Sequence, residues 1–188
     1  MIVACDVDGV VSDTIKEMKR VAYKMGISLK FNQYEPVIKG VGTDEKAISE
    51  IVHFVLEHRM HLIKPYPDAV EFLPLISRDI GEITFVTARD EKYYDSTVEW
   101  LSTHFSFPYR LVHKNSSAKS EFIKNEGFGA FVEDRFRTAN EAAELGINVY
   151  LITRQWNWKR KAHKKVKRVK NLGVVYTDLC YSGVRNGC

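Results

Sequence analysis

The stretch Ile2-Val3-Ala4-Cys5-Asp6-Val7-Asp8-Gly9-Val10-Val11-Ser12-Asp13 opens on four apolar residues and breaks at once into carboxylates and a glycine. An unbroken apolar run this short is the pattern of a strand covered on both faces, as in a parallel sheet. It predicts a first strand over 2–5 whose carboxyl end carries Asp6 and Asp8, two residues apart and therefore on one side. Gly9 permits the sharp backbone exit that must follow. Like charges that close are costly unless a cation shares them, so the pair reads either as a solvated turn or N-cap, or as part of a Mg²⁺ site.

Working outward, similar apolar runs recur at 83–86, 111–113, 130–132, 149–152 and, more weakly, 174–176, and each predicts a strand. Between them the spacing turns helical. Tyr94, Val98 and Leu101 share one face of a predicted helix over 91–104, and Phe122 and Ile123 fall in another that Ser117 would cap. Ala139, Ala142 and Ala143 mark a helix over 138–145, closed by Gly146. Strands alternating with helices predict a doubly wound α/β sheet with right-handed crossovers, which binds ligands at the carboxyl ends of its strands.

One connection is out of proportion. About fifty residues separate the first strand from the next, where a crossover needs only a dozen or so. This segment holds two amphipathic patterns, over 14–25 and 44–62, the second with Ile48, Ile51, Val52, Val55 and Leu56 on one face and Thr43 or Asp44 as N-cap. Pro65 and Pro67 mark the return to the body. The division expected is a core of 1–13 and 65–188 with a small helical insert over 14–64.

The 188 residues, 45% of them apolar, suit one domain with a single core and exclude intrinsic disorder. No run of apolar residues is long enough for a membrane span, and the first residues lack the pattern of a signal peptide. Three cysteines with no ligand spacing argue against a disulfide framework and a zinc site, so a reduced, cytoplasmic protein is expected. The net charge of +4 conceals a division. Residues 159–170 contain eight basic and no acidic residues, and without them 20 basic stand against 24 acidic.

Two further strand ends carry chemistry. In Phe85-Val86-Thr87-Ala88-Arg89 a hydroxyl and a guanidinium follow an apolar run, placing Thr87 either to donate to a phosphate oxygen or to cap a helix. Phe131-Val132-Glu133-Asp134-Arg135 supplies a second acidic pair. Hard cations take one or two carboxylates and keep several waters, so Asp6, Asp134 and a carbonyl at Asp8, with Glu133 adjacent, make a sufficient Mg²⁺ site. Lys119, near a predicted helix start, could neutralise a transferred phosphoryl group, and Lys114 competes for that role.

In this order, Asp-x-Asp-Gly, Thr, Lys and acidic pair, the sequence resembles the haloacid dehalogenase (HAD) superfamily of phosphohydrolases from Ile2 to about Asn157. The resemblance implies a Rossmann-like core with a C1-type helical cap over 14–64, and a Mg²⁺-dependent phosphatase. It implies that Asp6 is the nucleophile and Asp8 the general acid and base, that Thr87 and Lys119 hold the phosphoryl group, and that Asp134 binds metal. An acid at Asp8 favours phosphate over halide, because chemistry at carbon would not need it. Asp8-Gly9-Val10-Val11 and Val149-Tyr150-Leu151-Ile152-Thr153-Arg154-Gln155-Trp156-Asn157 are similar to the first motif and the loop after the fourth in 5′(3′)-deoxyribonucleotidases. Gln155 stands where that loop often carries proline.

The substrate expected is therefore a small phosphorylated compound, a (deoxy)nucleoside monophosphate, with no membrane partner and homodimer formation left open. Phe31, Tyr34, Lys39 and the Gly40-Val41-Gly42-Thr43 turn are candidates to close over it, or cap core and hinge. Arg89, Arg135 and Gly9 are candidates to touch the substrate, the arginines otherwise pairing with nearby acids. Residues 159–170, after Trp156 and Trp158, read either as a solvated helix with Val166 and Val169 inward or as a polyanion site. Two alternatives follow: a nucleic-acid end phosphatase resembling the phosphatase half of polynucleotide kinases, and a nucleic-acid-binding protein without turnover.

Overall fold

The computed structural model describes residues 1–31, 36–38, 44–159 and 161–185. Tyr34, Lys39 and the 40–43 turn lie outside them, and of Phe31 only the backbone is described. The core is a sheet of six parallel strands in the order β5 (Tyr109–His113), β4 (Ile83–Thr87), β1 (Val3–Cys5), β6 (Ala130–Glu133), β7 (Val149–Ile152) and β8 (Val166–Val169). β1, β4, β6 and β7 are buried along their whole length, which is why their sequences are continuous apolar runs rather than alternating ones. β1 lies at the centre. Its order reverses there, with β4 on one side and β6 on the other, so the chain leaves Cys5 at the switch point where α/β sheets open a crevice.

Seven helices accompany the sheet among the described residues: α1 (Thr14–Lys24), α2 (Glu45–His58), α3 (Pro67–Asp79), α4 (Tyr94–His104), α5 (Ser116–Asn125), α6 (Phe136–Glu144) and α7 (Leu172–Arg185). Between α1 and α2 lies a hairpin of three-residue strands, β2 (Leu29–Phe31) and β3 (Pro36–Ile38). Strands so short carry no readable period, and the helical reading of 14–64 missed them. The segment joins the body at two adjacent crossings, Asp13 N–H to the Lys64 carbonyl (2.9 Å) and Tyr66 N–H to that of Val11 (2.8 Å). Met18 and Val21 of α1 and Ile51 and Val55 of α2 belong to the same buried cluster as Val3, Leu73 and Phe85. Burying those side chains contributes roughly 1.5–3 kcal/mol each.

Several boundaries differ from expectation. The 174–176 run lies within α7: Leu172, Val175 and Leu179 form its buried stripe, so helical spacing over fourteen residues outweighs a local β-branched pair. A Cβ at Gly173 would come 2.9 Å from the Phe72 ring, which shows how closely α7 meets α3. Helix α2 stops at His58 and a 3₁₀ turn, Met60–Leu62, finishes the pattern expected to run to 62. Asp44, not Thr43, caps α2 by accepting from Ala47 N–H (3.0 Å), and Asn115, not Ser117, caps α5 by accepting from Ala118 N–H (2.9 Å). Among its described residues the basic run forms no helix: its 166–169 segment is the edge strand β8, where lysine and arginine discourage pairing with another sheet.

Candidate active site

The carboxyl ends of β1, β4, β5 and β6 converge on a cavity of about 600 Å³ whose wall includes Asp6, Asp8, Lys119 and Arg135, with Val52 and His53 of α2 facing them. Asp6 follows β1 directly and is 5% exposed. Its Oδ1 accepts from the ammonium of Lys119, a side chain on the first turns of α5 that is itself almost fully buried. Lys119 also donates to Glu133 Oε2 at 3.1 Å. Burial alone would lower its pKa, but the Asp6 and Glu133 carboxylates more than reverse this and hold it charged. Lys114, the competing lysine, lies over the Phe122 ring at 5.3 Å and lines the same cavity.

Glu133 and Asp134, at the end of β6, have different surroundings. Glu133 Oε1 accepts from the backbone N–H groups of Asp134 (2.9 Å) and Arg135 (3.0 Å), so both its oxygens are engaged. Burial pushes its pKa up, but Lys119 and these N–H donors bring it below the usual carboxylate range. Asp134 Oδ2 accepts from the Trp156 indole at 2.7 Å, whereas its Oδ1 is buried with no partner. Burial, Glu133 and Asp6 push the Asp134 carboxyl well up, and burial with Glu133 and Asp8 pushes Asp6 up to about 7 against the pull of Lys119. Asp6, Glu133 and Asp134 each offer an oxygen within 4.8 Å of the others. Three carboxylates facing one ammonium, with one buried oxygen unsatisfied, fit a hard divalent cation with oxygen ligands.

Gly9 is what allows this closeness. Its φ of +91° suits glycine, and a Cβ there would lie 2.1 Å from Asp134 Oδ2.

Asp8 stands two residues along in a completed setting. Arg89 Nε and Nη2 donate to its two oxygens at 2.9 and 2.8 Å, and the Ser12 and Thr14 hydroxyls donate to Oδ1. Burial raises its pKa, but Arg89 and the two hydroxyls overcome this and hold it below the usual range. Of the two readings of Arg89, substrate contact or ion pair, the structure has the ion pair. The remaining N–H groups of this 1%-exposed guanidinium reach Met60 Sδ (3.3 Å), Thr97 Oγ1 (3.2 Å) and Ser12 Oγ (3.5 Å), so all five donors are engaged within the protein.

Thr87 is fully buried at the end of β4, its Oγ1 accepting from Arg89 N–H at 3.3 Å, and it caps none of the described helices. Arg135 is exposed at the cavity rim and donates to Ser116 Oγ at 2.8 Å. Ser12, Thr14 and the His53–Tyr93 pair (Nδ1 to hydroxyl oxygen 2.8 Å) escaped sequence reasoning, because isolated hydroxyls and a helix-face histidine carry no motif. His113 also lines the cavity, its ring Nδ1 donating to the carbonyls of Arg89 and Asp90.

A parallel sheet with acidic strand ends, a buried lysine and an aspartate pair at its switch point defines a HAD-type hydrolase of the phosphatase class. The chain belongs to the family "5′ nucleotidase, deoxy (Pyrimidine), cytosolic type C protein", whose model matches residues 1–122. No curated protein matches the sequence. Among solved structures, the fold is similar to a haloacid dehalogenase-like hydrolase from Streptococcus pneumoniae (TM-score 0.64, 12% identity, 94% of this chain and 97% of that one). It is also similar to D,D-heptose 1,7-bisphosphate phosphatase from Burkholderia thailandensis (0.59, 10%, 94% and 96%) and to CbbY from Rhodobacter sphaeroides (0.57, 10%, 94% and 98%). Family membership makes the chain a phosphatase or nucleotidase rather than a binding protein that merely keeps the fold. Among the described residues no helix is long and apolar enough to cross a membrane.

Proposed function

We propose that the chain is a Mg²⁺-dependent phosphomonoesterase that hydrolyses (deoxy)nucleoside monophosphates through a phosphoaspartyl intermediate. The observation that carries this reading is the cluster of Asp6, Glu133 and Asp134 oxygens within 4.8 Å, with Lys119 donating to Asp6 and Asp8 lining the same cavity. Asp6 and Asp134, with the Asp8 backbone carbonyl, would hold the cation while Glu133 fixes Lys119. The cation would supply charge neutralisation for the phosphoryl group and the carboxylates.

An Asp6 carboxylate oxygen attacks phosphorus, the ester P–O bond breaks, and the departing alkoxide takes a proton from Asp8. Water then attacks the aspartyl phosphate, gives a proton to Asp8, and releases phosphate and free Asp6. Arg89 holds Asp8 as the carboxylate suited to the second step; a dianionic phosphate arriving beside it raises its proton affinity for the first. Thr87 and Lys119 hold the phosphoryl oxygens, and Arg135 at the rim meets the substrate. Residues 14–64 act as a cap over a core of 1–13 and 65–188, supported by Val52 and His53 facing the carboxylates across the cavity. The reading includes a cytoplasmic location, in keeping with the family's cytosolic type and the free thiols of Cys5 and Cys180.

The test is phosphate release from a panel of 5′- and 3′-mononucleotides, ribo and deoxy, with Mg²⁺ and with a chelator, for wild type and Asp6→Asn. Mg²⁺-dependent release that Asp6→Asn abolishes is expected; a folded wild type inactive across the panel would refute the reading.

One observation favours a second reading, an end phosphatase. The Trp156 contact with Asp134 brings the 153–158 loop beside the acidic centre, and that loop leads through the exposed Trp158, with Lys159 over its ring, into the basic segment. Terminally phosphorylated oligonucleotides should then exceed mononucleotides in kcat/KM, and Lys164→Gln/Lys165→Gln should erase the difference.

A further inference from the structure

After β7 the chain turns back over the acidic centre, and the turn is locked by Asn157. This buried side chain donates to the carbonyls of Ile152 and Asp134, both at 2.7 Å. Its Oδ1 accepts from Arg154 N–H (3.0 Å) and Arg168 Nη1 (3.1 Å), while Arg168 Nη2 reaches its carbonyl at 2.7 Å. From this fixed turn Arg154 Nε donates to the Gly9 carbonyl at 2.8 Å, its guanidinium lying 3.9 Å from the centre of the Tyr66 ring. Trp156 Nε1 donates to Asp134 Oδ2 at 2.7 Å. One loop therefore holds the turn after Asp8 and the acid after β6 at once.

A carboxylate with one oxygen tied to a rigid ring and its backbone carbonyl tied to a buried amide has little rotational freedom. Its other oxygen, Oδ1, is buried and has no protein partner. Gly9 leaves the space that Oδ2 occupies, since a Cβ there would lie 2.1 Å from it.

We propose that Trp156 is a positioning residue for the metal, orienting Asp134 so that Oδ1 is presented to Mg²⁺ and thereby setting the affinity of the site. The proposal rests on the Mg²⁺-dependent reading above. Groups that orient a metal ligand without touching the ion typically account for about 10- to 100-fold in affinity.

Calorimetric titration of Mg²⁺ into the purified protein tests it without reference to turnover. Trp156→Phe removes the N–H and keeps an aromatic ring, and should raise the Mg²⁺ Kd about tenfold or more. Trp158→Phe, two residues on, should leave Kd unchanged, and Trp156→His, which retains a ring N–H, should recover part of the loss. At saturating Mg²⁺ the kcat of Trp156→Phe should return towards wild type. Equal Kd for wild type and a folded Trp156→Phe overturns the proposal and leaves the phosphatase reading intact. A wild type that binds no Mg²⁺ overturns both.

Should Trp156→Phe fail to fold, the wild type still decides. It has three tryptophans, and Trp100 donates instead to the Ile63 carbonyl. One ¹⁵N indole resonance, not the one lost in Trp158→Phe, should shift on Mg²⁺ addition with the calorimetric midpoint; absence of any such shift overturns the proposal.

Discussion

Asp6 and Asp8 leave the same strand two residues apart, yet their surroundings pull in opposite directions. Asp6 shares one buried ammonium with Glu133 and faces Asp134 as well, so negative charge is in excess and protonation is favoured. Asp8 has a guanidinium to itself and two hydroxyls besides, so its charge is fully matched. The first side is unfinished without a cation and the second is complete within the protein. The roles of nucleophile and acid run against these two biases, because a nucleophile needs the charged form and an acid the protonated one. A cation beside Asp6 would restore its charge, and a substrate phosphate beside Asp8 would raise its proton affinity.

The contrast is sharpest when each cation is removed. Lys119→Met leaves three clustered carboxylates and should destabilise the Mg²⁺-free protein by about 3–5 kcal/mol in urea unfolding, with part of the loss recovered as Mg²⁺ is added. Arg89→Met breaks the other pair at a cost of about 3 kcal/mol, at the low end because Asp8 is a third exposed, and Mg²⁺ should recover none of it. Equal recovery by Mg²⁺ in both variants would break the distinction between the two sides.

Gly9→Ala probes the point where the sides meet. The residue is held at positive φ against Asp134, so about 1–3 kcal/mol of stability should be lost, together with Mg²⁺ affinity measured by calorimetry.

The smallest effect lies outside the site, at Asp178, which accepts from the Tyr150 hydroxyl (2.6 Å) and from Lys167. Its pKa is lowered by Lys167 and Tyr150. The folded form thus binds its proton less readily than the unfolded chain. The stabilisation is present above the unfolded value of about 4 and disappears as pH falls through the folded one. Asp178→Asn should lower Tm by a few degrees or less near neutrality, with the difference vanishing towards pH 2.

Much of this was legible in the chain. Doubly covered strands must be apolar throughout, so 2–5, 83–86, 130–132 and 149–152 stood out, and the carboxylates, Thr87 and Lys119 could be read at or near their ends. The 174–176 run and the basic segment misled because short β-branched stretches and charged edge strands have no period of their own. The β2–β3 hairpin was hidden for the same reason.

What the sequence by itself determined is the alternation of strand and helix and the placing of acidic residues at strand ends, since both follow from local burial and backbone geometry. Which charge faces which was decided by the tertiary structure alone. Arg89 and Asp8 are 81 residues apart, Lys119 and Asp6 113, and Trp156 and Asp134 22. No local rule foretells that one arginine is spent on Asp8 while Asp134 keeps a bare oxygen, because the energy of a buried charge depends on every group the fold brings against it.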